Sequence, residues 1–272
     1  MTPPKWSESP FLLPVIILGL GAVWIPIEVF DAELFRLLNG AHTPASDALW
    51  LGITVIGDGL VLGILLGSCL IWNPRVTVLG LTLLILSSFF VHALKAAIPS
   101  LRPPELLDSV HVVGPVLRSG SFPSGHAAAG MAAALAIAHY LPSGILSVAI
   151  LTGGALIGVS RVFVGVHFPG DVIAGVIISL MTYALLRATA LSRIETLVPD
   201  SPIFSSSRFM AFYWLELTVA AYVIIFYAAR FGWLSLPVRI MGCLICALLI
   251  VKWFRARRAF SHAEHGRHRN EP

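Results

Sequence analysis

Charge is what this 272-residue chain has least of. Only 12% of its residues are Asp, Glu, Lys or Arg, against about 25% in soluble domains. With 57% hydrophobic residues and a mean hydropathy of +0.87, there is too little polar surface to cover a water-soluble globule, and a polytopic membrane protein is expected instead. Cysteine is equally scarce: Cys69, Cys243 and Cys246 all lie in apolar runs. That excludes a disulfide framework, and the Cys243/Cys246 pair has no second pair with which to form a zinc site. Carboxylate clusters of the kind that hold two metal ions are missing as well.

Long apolar runs are abundant. A helix needs about 20 mostly apolar residues to cross the hydrocarbon, and eight runs approach that length: Phe11 to Phe30, Leu49 to Trp72, Val76 to Ile98, Phe122 to Leu141, Ile145 to Val164, Phe168 to Leu186, Met210 to Ala229 and Leu234 to Phe254. The first is broken by Pro14, Pro26 and Glu28; it lacks the charged flank and cleavage site of a signal peptide and reads as a retained span. The predicted fold class is therefore all-α, a polytopic transmembrane helix bundle. Its divisions are a six-span core over residues 1–190, a linker over 191–209, two additional C-terminal spans over 210–254 and a basic tail over 255–272.

In this arrangement Lys5, Arg75, Arg187, Arg193, Arg208, Lys252, Arg255, Arg257, Arg258, Arg267 and Arg269 share one side, eleven cations against seven on the other. The positive-inside rule places that side, with both termini, in the cytoplasm. The net charge of +4 is thus a topology signal and an attraction to anionic lipid, and no basic face for nucleic acid is seen. Trp214, Trp233 and Trp253 read as interface anchors.

Three segments carry ionisable residues at the outer ends of spans, where a purely structural role explains them least. They are Lys95 to Pro103, containing Arg102; Pro123-Ser124-Gly125-His126; and Ser160-Arg161 followed by His167 and Asp171. All three fall on one face of the membrane. Together they supply three permanent cations, two imidazoles, a carboxylate and a helix start at Ser124 and Gly125 whose N–H groups suit an anion. Arg102 and Arg161 offer planar forks and Lys95 a point charge, a set suited to phosphate. His167 and Asp171, four residues apart at a helix start, share a face. The carboxylate can therefore fix the imidazole tautomer and leave the other nitrogen as a nucleophile. His126 has no carboxylate beside it in sequence and suits a general acid.

The spacing Lys-x6-Arg-Pro, Pro-Ser-Gly-His and Ser-Arg-x5-His-x3-Asp resembles the three-part signature of the type 2 phosphatidic acid phosphatase (PAP2) superfamily, with no element missing. The resemblance implies an integral membrane lipid phosphatase that needs no metal or other cofactor and forms a phosphohistidine at His167. By the same analogy the leading substrate is undecaprenyl diphosphate, with phosphatidylglycerol phosphate, phosphatidic acid and lipid A phosphates as alternatives, and phosphotransfer to a second lipid as a variant. A transporter that binds an anion without chemistry accounts for neither the His167/Asp171 pair nor the clustering of charge at one face.

Other polar residues are ambiguous in sequence. Asp58, in a Gly-Asp-Gly break, either braces Arg102 or Arg161 or serves helix packing between close-approach glycines. Ser160 belongs with Asp58 as a supporting residue. His92 reads as a packing or hydrogen-bonding residue. His139 lies at the cytoplasmic end, out of reach. Glu105, Asp108, His111 and Arg118 decorate a solvated outer loop. Oligomeric state is not encoded in any visible pattern.

Overall fold

The computed structural model describes residues 12–71, 73–118 and 120–199, with scattered helical positions between 236 and 251. The expected spans from Met210 to Ala229 and Leu234 to Phe254, and the basic tail, lie outside the described residues apart from those positions.

Among the described residues every regular element is helical. In chain order they are α1 (Leu12–Val29), α2 (Asp31–Gly40), α3 (Pro44–Ile56), α4 (Gly59–Ser68), a short turn of 3₁₀ helix (Cys69–Ile71), α5 (Pro74–Ala97), α6 (Pro103–Leu106), α7 (Gly125–His139), α8 (Gly144–Phe163), α9 (Pro169–Thr189) and α10 (Leu191–Leu197). Their starts are written locally. Thr43 and Ser46 form a reciprocal capping box on α3, Asn73 caps α5, Ser143 caps α8, and Pro44, Pro74 and Pro169 occupy first-turn positions, where their missing N–H costs nothing.

Three helices, α5, α8 and α9, are long and apolar enough to cross a membrane, and α3 and α4 together have the same length and apolar character across a bend of 63°. The bend falls at the Gly-Asp-Gly break. Asp58 Oδ1 accepts from the Leu60 N–H at 2.9 Å and so caps α4, while a Cβ on Gly57 would run into Ile157 of α8. Asp58 thus serves the helix break, in line with the packing alternative.

The expected fourth span narrows to the 15 residues of α7. At 1.5 Å per residue that is about 22 Å, short of the hydrocarbon thickness. The shortening reflects its place in the bundle: twelve of its residues are buried, eight of them alanine, and α4, α5, α8 and α9 pack around it. Lipid tails are as apolar as the side chains they meet, so association here depends on close packing of small residues. A Cβ on Gly154 of α8 would come within 2.7 Å of the Ala134 Cβ and 2.9 Å of the Gly130 carbonyl, and one on Gly158 within 2.7 Å of Val172. Large apolar side chains such as Ile85, Phe89, Ile145, Val148 and Met181 are exposed on the outside of the bundle, where acyl chains would cover them.

The sequence did not separate α2 from its neighbours. This helix packs on the end of the bundle where α8 turns into α9, with Phe35 buried against Val162 and Val172 and tilted 5.5 Å from Phe168. Asp31, at its start, accepts from the Gly170 N–H at 2.8 Å, satisfying an otherwise orphan donor at the start of α9.

Candidate active site

The C-terminal ends of α5 and α8 and the N-terminal ends of α7 and α9 converge, and the segments between them fold over that end of the bundle. The loop after α5 brings Arg102 in. Residues 120–124 lead into α7 through a bend at Phe122 and Pro123, and the turn between α8 and α9 carries His167. Gly165 in that turn has φ +80°, and the His111 carbonyl lies where a Cβ would stand, so only glycine fits on both counts.

His167 is buried, with 3% of its surface exposed. Its Nδ1 lies 3.2 Å from Asp171 Oδ2 and 3.4 Å from Ser121 Oγ. The Ser121 hydroxyl donates to the same Asp171 oxygen at 2.5 Å, and the Phe168 N–H donates to it at 3.0 Å. An ionised carboxylate is acceptor-only, so Nδ1 carries the hydrogen and Nε2 keeps its lone pair. That nitrogen faces Arg102, whose Nη1 is 3.3 Å away and also donates to the Val166 carbonyl at 2.6 Å. Burial is the main influence on the imidazole. Reinforced by the Arg161 and Arg102 charges and opposed by Asp171, it pulls the His167 pKa down to about 3. The ring is neutral at physiological pH, the state a nucleophile requires.

The cations surround this ring. Lys95 Nζ donates to the Gly120 and Ser121 carbonyls at 2.6 and 2.9 Å, which ties the end of α5 to the segment leading into α7. Arg102 is held at its backbone by Glu105, whose carboxylate accepts the Arg102 N–H at 2.8 Å. Burial lowers the Arg102 pKa while Asp171 and Glu105 oppose the shift, and a guanidinium stays charged in such a site. Arg161, at the end of α8, is 5% exposed. Its carbonyl accepts from the N–H groups of Val166 and His167 at 3.1 and 3.3 Å, closing the turn that presents the imidazole. His126, in the first turn of α7, lies within electrostatic reach of Arg161, His167, Arg102 and Lys95. Among the described residues it makes no hydrogen bond.

Two sequence-predicted residues do other work than expected. The Ser124 N–H is not turned outward: it donates to the Asp171 backbone carbonyl at 2.9 Å, and Ser124 Oγ caps α7 by accepting from Ala127 N–H at 3.4 Å. Anion-facing donors at this helix start are therefore left to Gly125 and His126. Ser160 turns into the bundle, where its hydroxyl meets Thr54 Oγ1 at 2.6 Å and donates to the Ile157 carbonyl at 2.7 Å. His92 is exposed on α5. His139 sits thirteen residues beyond His126, ~20 Å along the helix, and its Nδ1 lies 2.8 Å from the Tyr183 hydroxyl.

The sequence missed several supports. Ser121 shares Asp171 with His167. Ser100 accepts the Phe122 N–H at 2.6 Å through its hydroxyl and the Ser121 N–H at 3.0 Å through its carbonyl, holding the segment before α7 in place. Asn39 is buried and donates to the His111 and Phe163 carbonyls at 2.8 and 3.0 Å. No local pattern marks these residues, because their partners are distant in the chain.

An apolar helical bundle with a buried, carboxylate-held imidazole and its cations gathered at one end belongs among the multi-pass membrane phosphatases that act on lipid phosphates, and comparison with known proteins agrees. The family profile described as "PAP2 superfamily" matches residues 76–194. An undecaprenyl-diphosphatase of Sulfolobus acidocaldarius is 30% identical over 151 residues, covering 54% of this chain and 71% of that protein. A lipid A 4'-phosphatase of Bacteroides thetaiotaomicron is 27% identical over 212 residues, covering 71% and 94%. The crystal structure of Aquifex aeolicus LpxE superposes with a TM-score of 0.54 at 30% identity, covering 58% of this chain and 94% of that one. The chain belongs to the PAP2 superfamily.

Proposed function

We propose that the chain removes phosphate from a membrane-anchored lipid diphosphate, with undecaprenyl diphosphate as the leading substrate, at the outer face of the plasma membrane. The observation that carries the chemistry is the orientation of His167: Nδ1 bound to Asp171 and Nε2 turned toward Arg102. Similarity to an undecaprenyl-diphosphatase supports the substrate. Similarity to a lipid A 4'-phosphatase favours a lipid A phosphate as the second reading.

In the proposed cycle the phosphate enters between Arg102, Arg161 and Lys95 and draws the Arg102 fork from Nε2 onto its own oxygens. Nε2 attacks phosphorus, an N–P bond forms, and the P–O bond to the lipid breaks. The negative charge of the bound phosphate offsets the surrounding cations and lets His126 enter the step as imidazolium; it gives its proton to the departing oxygen and becomes neutral imidazole. It then takes a proton from water, which attacks the phosphohistidine, breaks the N–P bond and frees inorganic phosphate. The negative charge of the phosphorane is met by fixed cations and by the Gly125 and His126 N–H groups, so the residues themselves supply the electrostatic stabilisation. A phosphotransferase would follow the same first half and replace water with a second lipid.

The test is phosphate release by purified protein in detergent from a panel of undecaprenyl diphosphate, phosphatidylglycerol phosphate, phosphatidic acid and lipid A, with EDTA present throughout. Release is expected to persist in EDTA and to be fastest with undecaprenyl diphosphate. Faster release from lipid A would move the substrate to the second reading, and loss of all release in EDTA would defeat the metal-free chemistry.

A further inference from the structure

We propose that the outer end of the molecule carries a divalent transition-metal site, of the zinc class, formed by His42, Asp47 and His111 beside the turn that presents His167. The sequence predicts no metal ligands and places His111 in a solvated loop. The fold brings these three residues together from the α2–α3 connection, the first turn of α3 and the loop after α6. One ligand atom from each lies within 4.8 Å of the other two. His111 Nε2 is 3.0 Å from Asp47 Oδ2. Four-coordinate zinc with bonds of about 2.0–2.1 Å holds its ligand atoms about 3.3 Å apart, so the imidazole–carboxylate pair already has the spacing of one tetrahedral edge. The His42 and His111 rings stack with centroids 3.8 Å apart and planes within 9°. Because the two ring planes are parallel, one ring must rotate out of the stack for both imidazoles to meet one ion, and His42, which is exposed, is the ring with room to turn.

The ligands rest on fixed backbone, as a metal site requires. Buried Asn39 brackets His111, accepting its N–H at 3.0 Å and donating to its carbonyl at 2.8 Å. Two residues on, the Val113 N–H donates to the Val164 carbonyl at 3.1 Å. Asp47 lies one turn into α3, where the Thr43/Ser46 capping box sets the helix start. An ordinary ion pair accounts for His111 and Asp47 but leaves His42 unexplained. Two imidazoles and a carboxylate match the nitrogen and oxygen donors zinc takes, and leave a fourth position for water. Bound metal would fasten three segments over Gly165, whose turn the His111 carbonyl already contacts, two residues before His167. It would brace a loop that Asn39 and the Val113–Val164 hydrogen bond already hold, so the reaction at His167 is expected to proceed without it. The site stands apart from the reaction assigned to His167, and a protein inactive toward every lipid tested could still show it.

The tail residues His262, His265 and His268 could bind zinc by themselves. The experiment therefore uses the full chain with these three changed to Ala, purified without a histidine tag and stripped of metal. Zn²⁺ is expected to bind at one equivalent and to raise the apparent melting temperature, with no such shift from Mg²⁺. Co²⁺ in the same site is expected to give the strong visible absorption of four-coordinate cobalt. His42→Ala and Asp47→Asn should each weaken Zn²⁺ binding by at least about 10-fold, since losing a ligand costs no less than losing its supporting hydrogen bond. His42 is exposed, so His42→Ala is expected to fold and to keep its basal melting temperature without metal. Absence of a saturable Zn²⁺ shift would overturn the proposal. So would a shift, or a cobalt spectrum, unchanged in both variants.

Discussion

At the scale of single residues, the site depends on one carboxylate oxygen. Asp171 Oδ2 accepts from Ser121, His167 and the Phe168 backbone, so its position fixes the ring proposed to attack phosphorus. Ser121→Ala removes a hydrogen bond to a charged group, worth about 1.5–3 kcal/mol. The expected result is a fall in kcat of ~10–100-fold with KM little changed, because Ser121 acts through Asp171 and His167. Equal losses in both constants, or none, would count against this positioning role. His167 also makes stability depend on pH. Its folded pKa of about 3 lies below the ordinary value of 6.5, so between those two values the unfolded chain takes up a proton that the folded chain refuses. Stability is therefore expected to fall as pH drops below about 6.5, and His167→Gln should flatten that slope between pH 7 and pH 5 in thermal unfolding; parallel slopes would contradict it. The ionisable members of the site, Lys95, Arg102, His126, Arg161, His167 and Asp171, were legible in sequence because charge is rare in an apolar chain. Ser121, Ser100 and Asn39 were not. A serine or asparagine near a helix end has many ordinary roles, and only the folded path of the chain reveals its partner.

At the scale of elements, periodicity and length located α5, α8 and α9 well, since each is a long apolar run with a local cap. The bent pair of α3 and α4 was signalled by the glycines around Asp58, although its angle depends on how closely α8 approaches. α7 was misjudged in length because hydropathy cannot tell an alanine-rich helix sealed inside a bundle from one that faces lipid. Its contacts rest on glycines of the neighbouring helices. A Cβ on Gly175 of α9 would collide with the Ser124 carbonyl and come within 3.1 Å of the Ala127 Cβ, whereas one on Gly153 of α8 would meet nothing within 4 Å. Gly175→Ala is expected to cost about 1–3 kcal/mol through overpacking and to reduce turnover by displacing the start of α7. Gly153→Ala should be neutral or slightly stabilising, as alanine favours helix. Thermal unfolding in detergent checks both, and equal effects would contradict the packing described.

At the scale of the whole molecule, a low charged fraction first indicates a membrane, and the few charges that remain sort into two groups with different work. Lys95, Arg102 and Arg161 converge at one end of the bundle around His167, while the cations assigned to the other side of the membrane carry the orientation signal. Fold class, family and the position of the site follow from those patterns. Substrate identity does not, because the wall that reads a lipid tail is as apolar as any surface facing the bilayer. The central claim is that turnover passes through a phosphoryl group on His167, and rapid acid-free quenching followed by mass spectrometry of the resulting peptides measures this directly. During turnover of a lipid diphosphate the phosphoryl group is expected on His167, accumulating when His126→Ala slows the second step and absent in His167→Gln, which should also lose turnover by ~10³-fold or more. A phosphoryl group on another residue, or turnover at the wild-type rate in His167→Gln, would contradict it.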